Sequence, residues 1–189
     1  KFIIGYFDQS LNIYKDIKPD VKKFYEEKLN KLKKEFQLKS INGKLFKKFH
    51  NYHDVLYNKS LSYYFKNYTQ NKKTFSQSLR KMINKGEKTN FKEYNSALKK
   101  LEILKKKIRL ETSKFDFIVV PSTFSRAPKI NKTEIKDTCL IWTTMGYPCI
   151  NIPFEDNENN LPFGLLLVSN EFTDFNLLKF CIQKRIIKF

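Results

Sequence analysis

The chain has 189 residues and a mass of 22.7 kDa; 41% of the residues are hydrophobic and 18 are Phe, so it can bury a core of its own. No run of about 18 apolar residues is present, which argues against a transmembrane helix. The three cysteines are an odd number without Cys-x-x-Cys spacing, which argues against a disulfide framework and a zinc site. We expect a cytoplasmic protein with one domain over residues 1–189 and no metal or cofactor.

The formal net charge of +18 suggests a polyanionic partner at first sight. However, only four of the basic residues are Arg, whose planar fork is the side chain that reads base edges. The joint abundance of Lys, Asn, Ile and Phe is typical of an AT-rich genome. We therefore expect solvated lysine faces, no specific nucleic-acid partner and no membrane. Polyanion contact through those faces stays open as the alternative, and so does a homodimer.

The first forty residues predict a β-α-β unit. Residues 2–7 have the pattern of a strand, and Pro19-Asp20 opens a helix whose apolar residues recur at spacings of three and four. Residues 36–41 form a second apolar-alternating run, and Asn42-Gly43 follows it as a turn. A strand, a helix and a strand in this order favour a parallel pair with a right-handed crossover.

Residues 44–110 contain no proline and have helical periodicity. Gly86 is predicted to end one helix and Thr89-Asn90 to cap the next. An aromatic cluster at helical spacing is predicted to be core or pocket wall, with base stacking as the alternative: Tyr52, Tyr57, Tyr63, Tyr64, Phe65 and Tyr68. The inward stripe of the following helix is predicted to contain Phe91, Tyr94, Ala97, Leu98, Leu101, Leu104 and Ile108.

The last third predicts the centre of the sheet. Residues 117–120 are apolar without alternation, as expected for a strand covered by helices on both faces. Residues 150–153 and 163–168 predict two more strands, linked by an acidic, Asn-rich loop. Thr173-Asp174 is predicted to cap a final helix with Phe175, Leu178, Ile182 and Ile186 facing inward. The predicted fold class is α/β, with a mixed β-sheet covered by helices.

Few residues suggest chemistry by themselves. His50 and His53 would share a helix face, but no third ligand has suitable spacing, so we predict no metal site. Cys149 and Cys181 lie in apolar contexts and are predicted to be buried thiols. Thr123 follows a predicted central strand, where ligands gather in α/β sheets, so it is a candidate substrate contact; a plain turn is the alternative.

Three motifs occur in order. Asp116 precedes an aliphatic run ending in Pro121-Ser122-Thr123; Trp-x-x-x-Gly-x-Pro-x-x-x-x-Pro covers residues 142–153; Leu-Pro-x-Gly-aliphatic covers residues 161–165. Together they resemble the C-terminal half of amidase signature family enzymes. The resemblance implies that fold and hydrolysis of a carboxylic amide by a Ser, cis-Ser, Lys triad. It also implies that the segment before the Gly-x-Pro turn lines the acyl-side pocket, making Trp142 and Thr143 candidate substrate contacts; core and capping roles are the alternative.

The resemblance further implies that the triad lies upstream of Lys1, since no Gly-Ser-Ser-Gly-Gly run is present. We therefore expect no catalytic residue in this chain and no activity of the chain alone. A non-catalytic amidase-like remnant is the alternative. Within the family, the tRNA-dependent amidotransferases hold glutamine with an arginine and an aspartate, whose positions here are Leu101 and Lys136. A general amidase acting on a small-molecule amide is therefore preferred.

Overall fold

The computed structural model describes residues 2–8, 16–68, 75–130, 132, 138–154 and 161–184. These residues fall into two compact units, 1–47 with 108–189, and 48–107. The prediction of a single domain over residues 1–189 stays a prediction. The elements are β1 (Ile3–Phe7), α1 (Pro19–Leu32), β2 (Gln37–Ile41), a short 3-10 helix (Gly43–Phe46), α2 (Phe49–Tyr64), α3 (Gln77–Lys88), α4 (Phe91–Thr112), β3 (Phe117–Pro121), α5 (Cys139–Met145), β4 (Cys149–Phe154), β5 (Phe163–Val168) and α6 (Asp174–Gln183).

The strands form one five-stranded sheet in the order β2-β1-β3-β5-β4. β1 runs parallel to both β2 and β3, whereas β5 runs antiparallel to β3 and β4. The predicted parallel β-α-β unit and the mixed sheet are thus confirmed. None of the helices in the described part of the chain is both long and apolar enough to cross a membrane.

β3 lies at the centre of the sheet, and all five of its residues are buried. On one face, the hydroxyl of Tyr25 in α1 donates to the carbonyl of Val119 at 2.9 Å. The Phe180 ring of α6 lies 4.3 Å from the Phe117 ring on the same face, measured between centroids. Helices on this face therefore cover the strand that the apolar run predicted.

An aromatic group covers the other face of the sheet. The Phe7 ring lies 4.9 Å from Phe46 and 6.1 Å from Trp142 of α5, and Trp142 is 0% exposed. Such close aromatic pairs stabilise a fold beyond the contribution that comes from burying their apolar area. The sheet is therefore covered on both sides within this unit.

Pro121 stands at the end of the central strand, where proline is normally excluded. The amide of Ser122 donates to the carbonyl of Gly164 in β5 at 2.9 Å, so the neighbouring Pro121 nitrogen faces the side of β1. The β1–β3 pairing has already ended at Tyr6 and Val119. Pro121 therefore costs the sheet no hydrogen bond, and the chain leaves the sheet directly after it.

The inward face predicted for α6 is wrong. Phe175, Leu178 and Ile182 are 75%, 46% and 53% exposed. The buried residues of this helix are instead Leu177, Phe180 and Cys181. Both sets recur at helical spacing, and the packing of Phe180 against Phe117 selects the second one. Ile186, the fourth residue of the predicted stripe, lies outside the described residues.

Residues 48–107 form the second unit, in which α2 packs against α3. Gly86 lies inside α3 and does not end it, so that prediction is wrong. A Cβ at Gly86 would lie 1.9 Å from the Asn58 carbonyl oxygen, so the glycine permits the close approach of the two helices. The Lys59 ammonium of α2 donates to the carbonyls of Gly86 and Thr89 at 3.3 and 2.8 Å and thereby caps the end of α3.

The predictions of the helix cap, the buried face of α4 and the aromatic cluster in this unit are confirmed only in part. Asn90 caps α4 as predicted, with its Oδ1 accepting from the Glu93 amide at 2.8 Å. Ala97 and Leu101 are buried, but Phe91 is 77% exposed. Tyr57, Tyr63, Tyr64 and Tyr68 of the aromatic cluster are exposed as well, so a core role for these four is wrong.

We expect Tyr25→Phe to destabilise the protein by about 1–3 kcal/mol, because it leaves the buried Val119 carbonyl without the Tyr25 hydroxyl. Urea denaturation followed by circular dichroism measures the loss. Tyr63→Phe is the matched control, since Tyr63 is 76% exposed, and should change stability by less than about 0.5 kcal/mol. Equal stability of the two variants would contradict the role of the hydrogen bond.

Candidate functional site

Polar side chains gather where β3 ends. β5 runs antiparallel to β3, so its first residues lie beside the last residues of β3, and β4 lies on the far side of β5. Ser122, Gly164 and Asn151 thereby come together from three different segments. The ends of strands in α/β sheets are common ligand sites because polar groups there are not used by the sheet. We refer to Ser122, Asn151 and Gly164 as the strand-end cluster.

The strand-end cluster is a hydrogen-bonded pair built over a glycine. The Ser122 hydroxyl donates to Oδ1 of Asn151. A Cβ on Gly164 would lie 2.3 Å from that oxygen and 2.7 Å from Ser122 Oγ. Any side chain at position 164 would therefore occupy the space in which the pair meets. The bond uses the amide oxygen of Asn151 and leaves its amide NH₂ as a donor.

Three further contacts hold the loop after β3. The thiol of Cys139, the first residue of α5, donates to the Ser122 carbonyl at 3.1 Å. The Thr123 hydroxyl donates to the carbonyl of Ser125 at 2.9 Å and closes a tight turn. Arg126 pairs with Asp20 of α1 at 2.8 Å. The loop is thus tied both to the start of α1 and to α5.

The three predicted substrate contacts lie in different surroundings. Thr123 is half-buried, and its hydroxyl is engaged in the turn. Thr143 is exposed on α5. Trp142 is fully buried, with its indole stacked on Tyr147 at a centroid distance of 6.0 Å. Whether any of the three touches a substrate stays a prediction, although the surroundings of Thr123 and Trp142 resemble the turn and core alternatives.

Tyr147 anchors the turn after α5 to the interior of the protein. Gly146 has a φ of 71°, a left-handed conformation that favours glycine and ends α5. The hydroxyls of Tyr147 and Thr112 are 2.7 Å apart in the interior. Desolvation raises the pKa of Tyr147 above its usual range, although the Thr112 hydrogen bond opposes the shift. Nearby, the Arg109 guanidinium makes two bonds to Glu171, at 2.8 and 3.2 Å.

The cluster by itself is poorly suited to nucleophilic chemistry. A serine becomes a nucleophile when a neighbouring base takes its proton, but Ser122 donates to an amide oxygen, which is not basic at neutral pH. Cys149 is exposed, contrary to the prediction of a buried thiol, whereas Cys181 is buried as predicted. The Cys149 sulfur lies 3.4 Å from the Tyr147 carbonyl oxygen, and desolvation raises its pKa to about 11. The thiol therefore stays protonated at neutral pH.

Other candidates add no site within the residues that the structure describes. No group of three or more His, Cys, Asp or Glu side chains could hold a metal ion there. His50 and His53 lie one turn apart on α2, and the His53 ring stacks on Tyr57 at 5.4 Å. Lys136 and its neighbour Asp137 lie outside the described residues.

Sequence reasoning missed Asn151 and Gly164. Both lie inside recognised motifs, Asn151 as an unassigned position before Pro153 and Gly164 as the glycine of Leu-Pro-x-Gly. One signal was available, because Asn151 is a polar residue between Ile150 and Ile152 in a strand. Their meeting with Ser122 depends on the β3-β5-β4 order, which the strand pattern alone leaves undetermined.

We expect Gly164→Ala to destabilise the protein by about 1–3 kcal/mol, because the new Cβ overlaps Asn151 Oδ1 and Ser122 Oγ. Urea denaturation measures the change. Adding Asn151→Ala removes the nearer obstacle and should recover part of the loss, giving a coupling of at least about 0.5 kcal/mol. Strictly additive effects would show that the side chains do not meet.

Stability should fall as pH rises from 9 towards 11. The pKa of Cys149 is about 11 in the folded chain, against an ordinary value of 9.0, so between these values the folded chain holds a proton that the unfolded chain has released. The stabilisation that this proton gives to the folded chain is complete below pH 9 and is lost as the pH rises towards 11. Cys149→Ala should therefore lose less stability than the wild type between pH 8.5 and 11 in urea titrations. Parallel pH profiles would contradict this assignment.

Comparison with known proteins assigns the fold to a family. The amidase family model matches residues 1–178. A solved amidase superposes with a TM-score of 0.82 at 18% sequence identity, and the match covers 93% of this chain and 43% of that amidase. The structure of 6-aminohexanoate cyclic dimer hydrolase with bound substrate superposes with a TM-score of 0.74 at 12% sequence identity, and the match covers 95% of this chain and 43% of that hydrolase. One subunit of the mitochondrial glutamyl-tRNA(Gln) amidotransferase of Schizosaccharomyces pombe (strain 972 / ATCC 24843) is 36% identical over 73 residues, 36% of this chain and 16% of that protein. The chain thus spans less than half the length of these relatives. Because the family model matches most of the chain, the chain belongs to the amidase family.

Proposed function

We propose that the chain is the sheet-forming and pocket-forming part of an amide hydrolase. The observation that carries the proposal is the family match over residues 1–178, joined to a fold match that covers 93% of this chain but 43% of a solved amidase. In this proposal, the nucleophile, the base and the oxyanion donors belong to the part of the amidase fold that this chain does not contain. The strand-end cluster and the loop after β3 form walls near the reacting centre.

The described side chains support this division of roles. Ser122 lacks a basic partner, and Cys149 is a protonated thiol at neutral pH, so neither is an activated nucleophile. A Ser/cis-Ser/Lys triad upstream of Lys1 would supply what these residues lack. Its serine hydroxyl would attack the amide carbonyl and lose its proton to the base. The tetrahedral intermediate would collapse to an acyl-enzyme with release of ammonia or an amine, and water would then hydrolyse the ester.

The substrate is proposed to be a small-molecule aryl or alkyl amide. One relative is named as a subunit of a glutamyl-tRNA(Gln) amidotransferase. Glutamine, the substrate that the family resemblance gives to the tRNA-dependent amidotransferases, is therefore the alternative. By the family resemblance, an arginine and an aspartate would hold glutamine, and the corresponding positions here are Leu101 and Lys136. Leu101 is an apolar side chain, 3% exposed in α4, and offers no charge to a carboxylate. We therefore prefer a simple amide.

One observation favours the second candidate, a basic protein that contacts polyanions. Residues 48–107 hold 15 of the 37 basic residues and 4 of the 19 acidic ones. Tyr63 and Tyr64 are exposed in the same unit, and exposed aromatic rings beside lysines can stack on bases. Binding of this kind would be independent of base sequence and would weaken steeply with salt. Specific, salt-resistant binding would instead count against the amidase proposal.

The chain alone should hydrolyse no aryl or alkyl amide and should not react with fluorophosphonate probes of active serines. The physical reason is that both processes need an activated hydroxyl, which the proposal places outside this chain. Joined to the polypeptide encoded upstream of Lys1, the chain should gain both activities. Probe labelling by mass spectrometry and release of p-nitroaniline from anilides are the measurements.

Two variants test the pocket wall in the joined protein. Thr123→Val and Thr143→Val should change the ratio of kcat/KM between two anilides by about threefold or more, while probe labelling stays near the wild-type rate. Phe172→Ala is the control, since Phe172 is 91% exposed. Stoichiometric serine labelling of the 189-residue chain by itself would contradict the proposed function.

A further inference from the structure

The outward face of α6 carries an apolar stripe that stays exposed in the described part of the chain. Phe175, Leu178 and Ile182 recur at spacings of three and four, which places them on one face of the helix. The buried residues of α6 lie on the opposite face. A helix that is apolar on all sides normally belongs in an interior, but only one face of α6 is buried. The other face is therefore a candidate for contact with a partner.

Phe172 extends the stripe by one turn before α6 begins. It lies three residues before Phe175 and is 91% exposed. Its backbone φ is 64°, a left-handed conformation that a bulky side chain rarely adopts. Such a conformation costs free energy and persists only where the surrounding structure imposes it. The fold thus spends stability on a large apolar side chain that it does not bury.

The neighbours of Phe172 impose this conformation. On one side, Glu171 is held by the two bonds to the Arg109 guanidinium. On the other side, the hydroxyl and the amide of Thr173 donate to the Asn170 carbonyl at 2.6 and 3.2 Å. The Asn170 side chain in turn donates to the backbone two residues before β3, at 3.1 Å. The turn is thus fixed on both sides, and a residue that is already held in place loses little freedom when a partner binds.

The charges on α6 favour a protein partner over a lipid surface. The helix contains one acidic and one basic residue, Asp174 and Lys179, in a chain with a net charge of +18. Lys184, directly after the helix, lies over the buried Phe36 ring and so points towards the covered face. Helices that lie on membranes instead carry a polar face rich in Lys and Arg. Because α6 is locally neutral and distant charges are screened beyond about 8 Å, two copies of the chain can approach each other through this face.

The order of residues along α6 fits a two-fold axis through its middle. When such an axis crosses a helix at right angles, the two copies of the helix run antiparallel and every contact occurs twice. With the axis between Leu178 and Lys179, Phe175 of one copy faces Ile182 of the other, and the reverse. The apolar stripe is thus complementary to itself.

The area of the stripe is enough for a weak dimer. Phe172 and Phe175 each expose on the order of 150 Å², and with the half-exposed Leu178 and Ile182 the stripe amounts to roughly 500 Å² in each copy. An apolar patch of this size lies at the upper end of what monomers expose. A two-fold contact would bury the patch of both copies, which together approach the total of about 1,000 Å² that a specific interface needs.

We propose that the outward face of α6, from Phe172 to Ile182, is an interface between two copies of this chain. Leu178 lies at the centre of the interface, and Phe172 is the aromatic anchor at each end. The inference does not depend on the proposed function, because it uses only α6 and the turn before it. It assigns a surface to the homodimer that the composition leaves open.

Sedimentation equilibrium of the 189-residue chain tests the interface and its register. The wild type should dimerise in the micromolar range, as expected for an interface of about 1,000 Å². Phe175→Lys and Ile182→Glu should each weaken the dimer at least about tenfold, because each buries a charge without a partner. Mixing these two variants should restore association, since the heterodimer brings the new ammonium group against the new carboxylate. Ile130→Ala, at an exposed apolar residue outside α6, is the control and should leave the dimer unchanged.

Phe172→Asn separates association from stability. Asparagine adopts the left-handed conformation at lower cost, so at concentrations where the chain is monomeric this variant should raise the thermal midpoint by roughly 2–4 °C. The same variant removes the aromatic anchor and should weaken the dimer at least about fivefold. A residue with only a structural role would move stability and association in the same direction, and that outcome would contradict the role of Phe172 as an anchor.

Three results would overturn the proposal. The first is a wild-type chain that is still monomeric at about 500 μM. The second is a monomer that binds vesicles of phosphatidylserine and phosphatidylcholine and loses this binding in Phe172→Asn, which would identify a lipid surface as the partner. The third concerns the protein that also contains the polypeptide encoded upstream of Lys1. That protein should again form a dimer that Phe175→Lys weakens, whereas a monomer would assign the α6 face to the upstream polypeptide.

Discussion

The structure depends on the two unlike pairings of β3. On one side β3 pairs in parallel with β1, and on the other it pairs antiparallel with β5. The first pairing requires a crossover connection, which places helices over the sheet, and the second reverses the chain so that the start of β5 meets the end of β3. Removing β3 would separate the β1–β2 pair from the β4–β5 pair. The burial of all its residues reflects this position.

The same reversal produces the strand-end cluster. Gly164 reaches Ser122 because β5 begins where β3 finishes, and Asn151 reaches both because β4 is one strand further out. Pro121 contributes by ending the strand without costing a hydrogen bond, which frees Ser122 and Thr123 from the sheet. The chemistry of the cluster is modest, since its hydroxyl is paired with an amide.

The sequence predicts strands and helices well where a single apolar pattern is present. The uninterrupted run at residues 117–120 predicted a central strand, and the β-α-β pattern predicted the parallel pair; both are confirmed. The face of α6 was predicted wrongly because Leu177, Phe180 and Cys181 compete with a second stripe, and only contact with Phe117 selects between them. Gly86 was predicted to end a helix, but position 86 requires glycine for a different reason: the backbone of α2 at Asn58 lies directly against it. Such long-range contacts also decide the strand-end cluster, whose members are 13 or more positions apart in the sequence.

The contact between Lys59 and the end of α3 changes the meaning of the lysine excess. Lys59 uses its ammonium group to satisfy two backbone carbonyls. A reagent that acetylates every lysine would therefore do more than remove surface charge, because it would also remove this helix cap. Exhaustive acetylation should loosen the packing of α2 against α3 even in high salt, where the loss of surface charge alone would have little effect. In this sense, one lysine among many belongs to the architecture rather than to the surface.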